Sequence, residues 1–219
     1  MEYRIRFVDF PEHYRKIKSE VDSVIQEVLI GGDYILRRHL KEFEKNFAKF
    51  LDVKYAIGVA NGTDALFLSL KAANITESDE VITVAHTFAA TVSTISQCNA
   101  KPILVDIDQY HNIDVSCIEA AITEKTKGII PVHLNGRICD MDKIMKIASD
   151  HGLHIIEDAA QAVGARYKGR RAGSFGLTGC FSFYPAKILG TLGDGGMIVT
   201  NNKEIAKKLF LLRDHGQDR

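Results

Sequence analysis

The chain of 219 residues carries 28 Lys and Arg against 28 Asp and Glu, with 46% hydrophobic and 26% charged content. That length sustains a buried core in one α/β domain, and the balanced charge leaves no basic field to gather nucleic acid or an anionic membrane surface. The expected partners are a small molecule or another subunit. Cys98, Cys117, Cys139 and Cys180 form no CxxC pair, which speaks against a zinc site or disulfide scaffold and for a reduced, cytoplasmic protein. The opening "MEYRIRFVDFPEHY" lacks an apolar signal core, and no run of about 18 apolar residues follows, so neither secretion nor membrane spanning is expected.

In chain order, residues 12–29 set Tyr14, Ile17, Val21, Val24, Ile25 and Val28 at helical spacing before Gly31 and Gly32 stop the pattern. This predicts an N-terminal helical arm over 1–35 ahead of a main domain over 36–219. A second helix is predicted over 38–50, where Leu40, Phe43, Phe47 and Phe50 make one apolar stripe. Strands are predicted at 55–60, 80–84, 102–107, 127–134, 153–158, 179–184 and 196–200, most of them separated by helical stretches. Short β-rich runs joined by helices mean crossover connections and a mostly parallel, buried sheet in a three-layer α/β/α arrangement. Ligands on such sheets bind beyond the carboxyl ends of the strands.

Three of those strand ends carry candidate chemistry. After 55–60, "NGTDAL" turns through Asn61 and Gly62 and opens a helix at Thr63, whose free amides and hydroxyl suit a phosphate; an N-cap with no ligand has the same signature. No Gly-Lys-Ser/Thr or GxGxxG pattern follows, which removes most support for nucleotide hydrolysis. Strand 153–158 ends in "EDAAQA", where alternation points Glu157 and Asp158 to opposite faces and makes Asp158 the better ligand-facing acid. No His, Asp or Glu at ligand spacing accompanies it, so no metal is expected. Strand 179–184 supplies Ser182 and leads to Lys187, set between Pro185-Ala186 and Ile188-Leu189, poor surroundings for a solvated side chain. A desolvated lysine favours the neutral amine that attacks an aldehyde. Amine, carboxylate and phosphate cradle together match pyridoxal 5'-phosphate.

At these residues the sequence resembles the DegT/DnrJ/EryC1/StrS sugar aminotransferases, within the fold-type I pyridoxal-phosphate enzymes. Six stretches carry the resemblance in order: "GGDYILRRHLKEFEKNFAKFLDVKYAIGVANGTDAL", "DEVITVAHTFAATVSTI", "VHLNGRICDMDKI", "IIEDAAQAVGA", "SFYPAKILGTLGDGGMIVTN" and "LRDHG". It implies Lys187 as the amine that joins the cofactor aldehyde and later moves a proton, with Asp158 on the pyridine nitrogen. It further implies Gln161 on the ring hydroxyl, Phe88 stacked on the ring, and Gly62, Thr63, Asp64 and Ser182 around the phosphate. The reaction implied is transfer of an amino group, usually from glutamate, to a keto group of a nucleotide-linked sugar. A branch of the family with histidine at the lysine position dehydrates instead; position 187 is lysine.

Other fold-type I chemistry, a sugar dehydratase or lyase, is one alternative, and a non-catalytic subunit of the same fold is another. Asn135 stands where relatives commonly place an aromatic residue, so a more polar wall is expected there. Members of the family continue into a C-terminal small domain that these residues do not contain, and they act as homodimers with shared sites, for which Arg213 and His215 are candidate contributors. Glycines 190, 193, 195 and 196 are expected to bring the backbone close beside the cofactor.

Overall fold

The computed structural model describes residues 5–217; the first four residues of the predicted arm and the last two of the main domain lie outside them. The chain divides between Phe43 and Glu44 into two units. The first contains helix α1 (Phe10–Gly31), started by the Asp9 side chain accepting from the Glu12 N–H at 3.1 Å and stopped by Gly32 at φ 69°. None of its residues is buried. Helix α2 (Arg38–Leu51) runs through the division, and Phe47, Ala48 and Leu51, on its second-unit side, are buried.

The second unit is the predicted α/β sheet. Its elements are β1 (Tyr55–Val59), α3 (Gly62–Ala72), β2 (Glu80–Val84), α4 (Ala89–Gln97), β3 (Lys101–Val105), α5 (Ile118–Ala121), β4 (Thr126–Ile129), α6 (Met141–His151), β5 (His154–Asp158), the hairpin β6 (Arg166–Tyr167) and β7 (Arg170–Arg171), β8 (Thr178–Ser182), β9 (Gly196–Thr200) and α7 (Lys203–Leu212). Seven strands form one sheet in the order β1-β9-β8-β5-β4-β2-β3. Only β9 runs against the rest, pairing antiparallel with both β1 and β8.

Alternation along each strand sorts its side chains into two cores, the period-two geometry of a sheet buried on both faces. Val81 and Ile156 join Leu66, Leu70, Ile95 and Leu209 of α3, α4 and α7 on one side. Their chain neighbours Ile82 and Ile155 join Ile118, Met141, Ile144 and Ile147 of α5 and α6 on the other. The sandwich is therefore the expected three-layer arrangement, and no helix among the described residues is long and apolar enough to cross a membrane.

Strand 127–134 is shorter than its apolar run predicts. Regular pairing stops at Ile129, because Pro131 has no N–H to give the ladder. Contact with β5 resumes beyond it, with Asp158 N–H donating to Pro131 O at 2.9 Å and His133 N–H to Asp158 O at 3.0 Å. Strand 102–107 likewise ends early, at Val105.

Candidate active site

Since every strand of the seven-stranded sheet but β9 shares one direction, the carboxyl ends of β1, β2, β5 and β8 lie along one edge of it. The loops leaving them enclose a cavity of about 650 Å³. Gly62, Thr63, Phe88, Asp158, Gln161, Ser182 and Lys187 all line it. Of the residues predicted for the site, Asp64 alone is not in the lining: its N–H donates to the Asn61 side chain at 2.8 Å, which caps α3. Helix α3 thus opens at Gly62, one residue before Thr63, with Asn61 as its cap.

The corner of the cavity at the start of α3 is built by close approach of three backbones. The first residue of β9, Gly196, pairs with Val59 of β1 and with Ser182 of β8. A Cβ on Gly196 would fall 2.3 Å from Asn61 O, and one on Gly62 would fall 2.8 Å from the Ser182 Cβ. Only glycine lets the start of α3 and the end of β8 come this near each other. Gly193, by contrast, has open space where a Cβ would stand, and its N–H donates to Thr191 Oγ1 at 3.1 Å.

Lys187 closes a turn that begins at Tyr184, its N–H donating to Tyr184 O at 2.8 Å, with Pro185 at the second position where a fixed φ suits such a turn. The base of this loop is fastened: Phe183 N–H donates to Gly195 O and Thr191 N–H to Phe183 O, both at 2.8 Å. The Phe183 ring also meets Phe47 edge-on at 5.4 Å. The tip is not fastened in this way. Ile188 is 75% exposed and Leu189 42%, so the apolar pair that follows Lys187 faces outward, and it is the cavity that half-buries the lysine. Phe88, at the N-cap of α4, is 72% exposed and therefore no core aromatic.

Glu157 and Asp158 do point to opposite faces. Asp158 Oδ2 accepts from the Thr91 hydroxyl at 2.7 Å and Oδ1 from Ala160 N–H at 3.2 Å. Burial pushes its carboxyl above the usual range, against the lowering influence of those two donors and of His133 and Lys187. Glu157 accepts from the N–H groups of Gly173, Phe175 and Gly176 at 2.6–2.7 Å and from His133 Nε2 at 2.9 Å. Because Cys139 N–H donates to His133 Nδ1, it is Nε2 that carries the proton toward Glu157. Gln161 is oriented too: its Oε1 accepts from Asn135 N–H at 2.9 Å, which leaves its NH₂ as the free end. Asn135 itself is exposed at φ 54° and does not line the cavity, so it contributes a backbone donor and no polar wall.

Sequence reasoning alone misses Thr87, Thr91 and His133. Thr91 lies in the first turn of α4 and Thr87 just before its N-cap, Phe88, so no helical spacing marks the pair in the sequence. His133 is fully buried and touches the cavity, and its partner Glu157 comes from a different strand. Arg213, a candidate contributor to a second subunit, is instead engaged within its own unit, where its guanidinium pairs with Glu44 and donates to Gly58 O at 3.2 Å.

The profile of the DegT/DnrJ/EryC1/StrS aminotransferase family matches residues 15–219. A "pleiotropic regulatory protein" of Geobacillus stearothermophilus is 47% identical over 97% of this chain and 57% of its own length. The UDP-2-acetamido-2-deoxy-3-oxo-D-glucuronate aminotransferase of Pseudomonas aeruginosa is 46% identical over 98% of this chain and 60% of its own length. Among solved structures, S. venezuelae DesV in complex with a ketimine intermediate superimposes with a TM-score of 0.96 at 43% identity, covering 100% of this chain and 59% of that one. The chain thus spans about three-fifths of the length of these relatives. With a profile match over nearly all of its residues and a shared fold at this identity, the chain belongs to the DegT/DnrJ/EryC1/StrS aminotransferase family.

Proposed function

We propose that this chain is the cofactor-binding portion of a pyridoxal-phosphate aminotransferase that moves an amino group from glutamate to a keto group of a nucleotide-linked sugar. The observation that carries the reading is the meeting, in one cavity, of an amine, a buried carboxylate and a helix N-terminus, from the ends of β8, β5 and β1. These groups fit the cofactor one by one. Asp158 is a buried carboxyl with two protein donors, and a cationic ring nitrogen would stabilise its ionised form against the cost of burial. The start of α3, together with Thr63 and Ser182, offers amides and hydroxyls to a phosphate, with the helix dipole in support. The free NH₂ of Gln161 suits the ring hydroxyl, and exposed Phe88 offers a face for stacking.

When bound, pyridoxal phosphate supplies a ring that takes up electrons released at the carbon bearing the amino group. Asp158 would hold a proton on the ring nitrogen, and Lys187 Nζ would hold the cofactor at its aldehyde and, when free, would accept the proton from Cα of the amino donor. The names of the relatives support a nucleotide sugar as acceptor, the P. aeruginosa enzyme being named for a UDP-linked 3-oxo sugar. The four cysteines are free thiols, which supports a cytoplasmic setting. Bare apolar side chains on the Lys187 loop support a homodimer as the active form.

The test is to supply the protein with pyridoxal phosphate, glutamate and a panel of UDP-, dTDP- and GDP-linked keto-sugars and to follow product mass. Exchange of a keto oxygen for an amine, absent in Lys187→Ala, is expected. A dehydrated sugar would replace this reading with a dehydratase, and no product with any acceptor would overturn the substrate class.

A further inference from the structure

Asp158 is reached from the cavity by a line of two hydroxyls. Thr87 Oγ1 lies 2.7 Å from Thr91 Oγ1, and Thr91 Oγ1 lies 2.7 Å from Asp158 Oδ2. Thr91 has no exposed surface and Asp158 is 6% exposed, while Thr87 lines the cavity. A hydroxyl has one hydrogen to give. If Thr91 gives its hydrogen to the carboxylate, it can only accept from Thr87, and Thr87 then presents lone pairs alone to the cavity. We propose that Thr87 and Thr91 form a directional hydroxyl relay that keeps Asp158 negatively charged in its buried setting, so that the charge is in place when a cationic ring nitrogen arrives.

Three features support the relay. Thr91 stands in the first turn of α4 and Thr87 just before its N-cap, Phe88, and the 2.7 Å contact between their hydroxyls ties the entering chain to that turn. A donor to each carboxylate oxygen, Thr91 on one and Ala160 N–H on the other, opposes the cost of burial. The order of hydrogens also reverses if the carboxyl takes up a proton: Asp158 donates to Thr91, Thr91 to Thr87, and Thr87 becomes a donor into the cavity. The other ionisable groups that act on Asp158 are His133, Lys187 and Cys180. His133 is tied to Glu157, the Cys180 thiol is held protonated by burial and Lys187 acts through space, whereas Thr91 is hydrogen-bonded to the carboxylate itself, so its hydrogen can follow the state of the carboxyl. Thr87 and Thr91 are positioning residues, acting on the cofactor through Asp158. This role rests on the pyridoxal-phosphate reading; the relay itself does not need the cofactor to be observed.

The experiment is an infrared titration of the cofactor-free chain, following the protonated-carboxyl band that disappears in Asp158→Asn. Thr91→Val removes the hydroxyl at nearly constant shape and is expected to raise the midpoint of that band by about one to two pH units. Thr91→Ser is expected to restore the wild-type midpoint. Thr87→Val, at the cavity surface, provides the measurement if Thr91→Val does not fold, with an expected rise of a few tenths of a pH unit. An unchanged midpoint in a folded Thr91→Val or in Thr87→Val overturns the relay, as does a serine variant that behaves like valine. A second arm adds pyridoxal phosphate and records its absorbance, where about tenfold weaker binding to Thr91→Val is expected. If the wild type binds no pyridoxal phosphate, the functional reading falls while the titration still decides the relay.

Discussion

Glu157 and Asp158 are consecutive carboxylates at the end of one buried strand, and they illustrate two opposite uses of the same chemistry. Glu157, on the α6 side of the sheet, accepts from three backbone amides and from His133, so its charge is fully engaged inside the fold. Asp158, on the α3 and α4 side, has two protein donors and a cavity in front of it. A saturated buried charge fastens loops, whereas an under-satisfied one beside a cavity waits for a ligand. On the proposed function, the contrast leaves stability to Glu157 and cofactor binding to Asp158.

Substitution should separate the two roles, and the largest effect falls on the structural side. Glu157→Gln withdraws charge from four donors and leaves His133 without its anion, so urea unfolding should show a loss of about 3–5 kcal/mol. Whatever folds of that variant should still bind pyridoxal phosphate. Next comes the cradle on the ligand side: Gly62→Ala drives a Cβ to 2.8 Å from Ser182, and a destabilisation of about 1–3 kcal/mol with weaker binding of the cofactor phosphate is expected by titration.

The smallest effect has the opposite sign. Asp158→Asn keeps a group able to accept from Thr91 but removes the buried charge, so the cofactor-free chain should gain roughly 0.5–2 kcal/mol while cofactor affinity drops. The pH dependence follows from the raised carboxyl. Below about pH 4 the group is neutral in both the folded and unfolded chain and costs nothing. As pH rises, the unfolded chain ionises first, and wild-type stability falls until the folded group has also lost its proton. The advantage of the Asn variant should therefore grow as pH rises from about 4 and level off above the folded value, as read from thermal midpoints. A variant advantage that shrinks with pH would break the comparison.

Much of this arrangement is legible in the sequence because it depends on local pattern. Alternation from Ile156 is enough to send Glu157 and Asp158 to opposite faces, and the turn chemistry of "NGTD" and "YPAK" announces two of the loops that line the cavity. What the sequence hides is satisfaction. The donors to Glu157 come from residues 173–176 and from His133, and nothing in "IIED" says which of the two acids they choose. Likewise, the apolar character of Ile188 and Leu192 gives no sign that the loop tip carries them outward. Asp64 fails to reach the cavity for a local reason, since Asn61 competes for its amide.

The central claim is that Lys187 and no other lysine is the amine of this cavity. Borohydride reduction of the chain after incubation with pyridoxal phosphate, followed by peptide mass analysis, tests it directly. One cofactor on the peptide containing Lys187, abolished by Asp158→Asn at limiting cofactor, is the predicted result; a label spread over surface lysines, with Lys187 unmodified, would contradict the account.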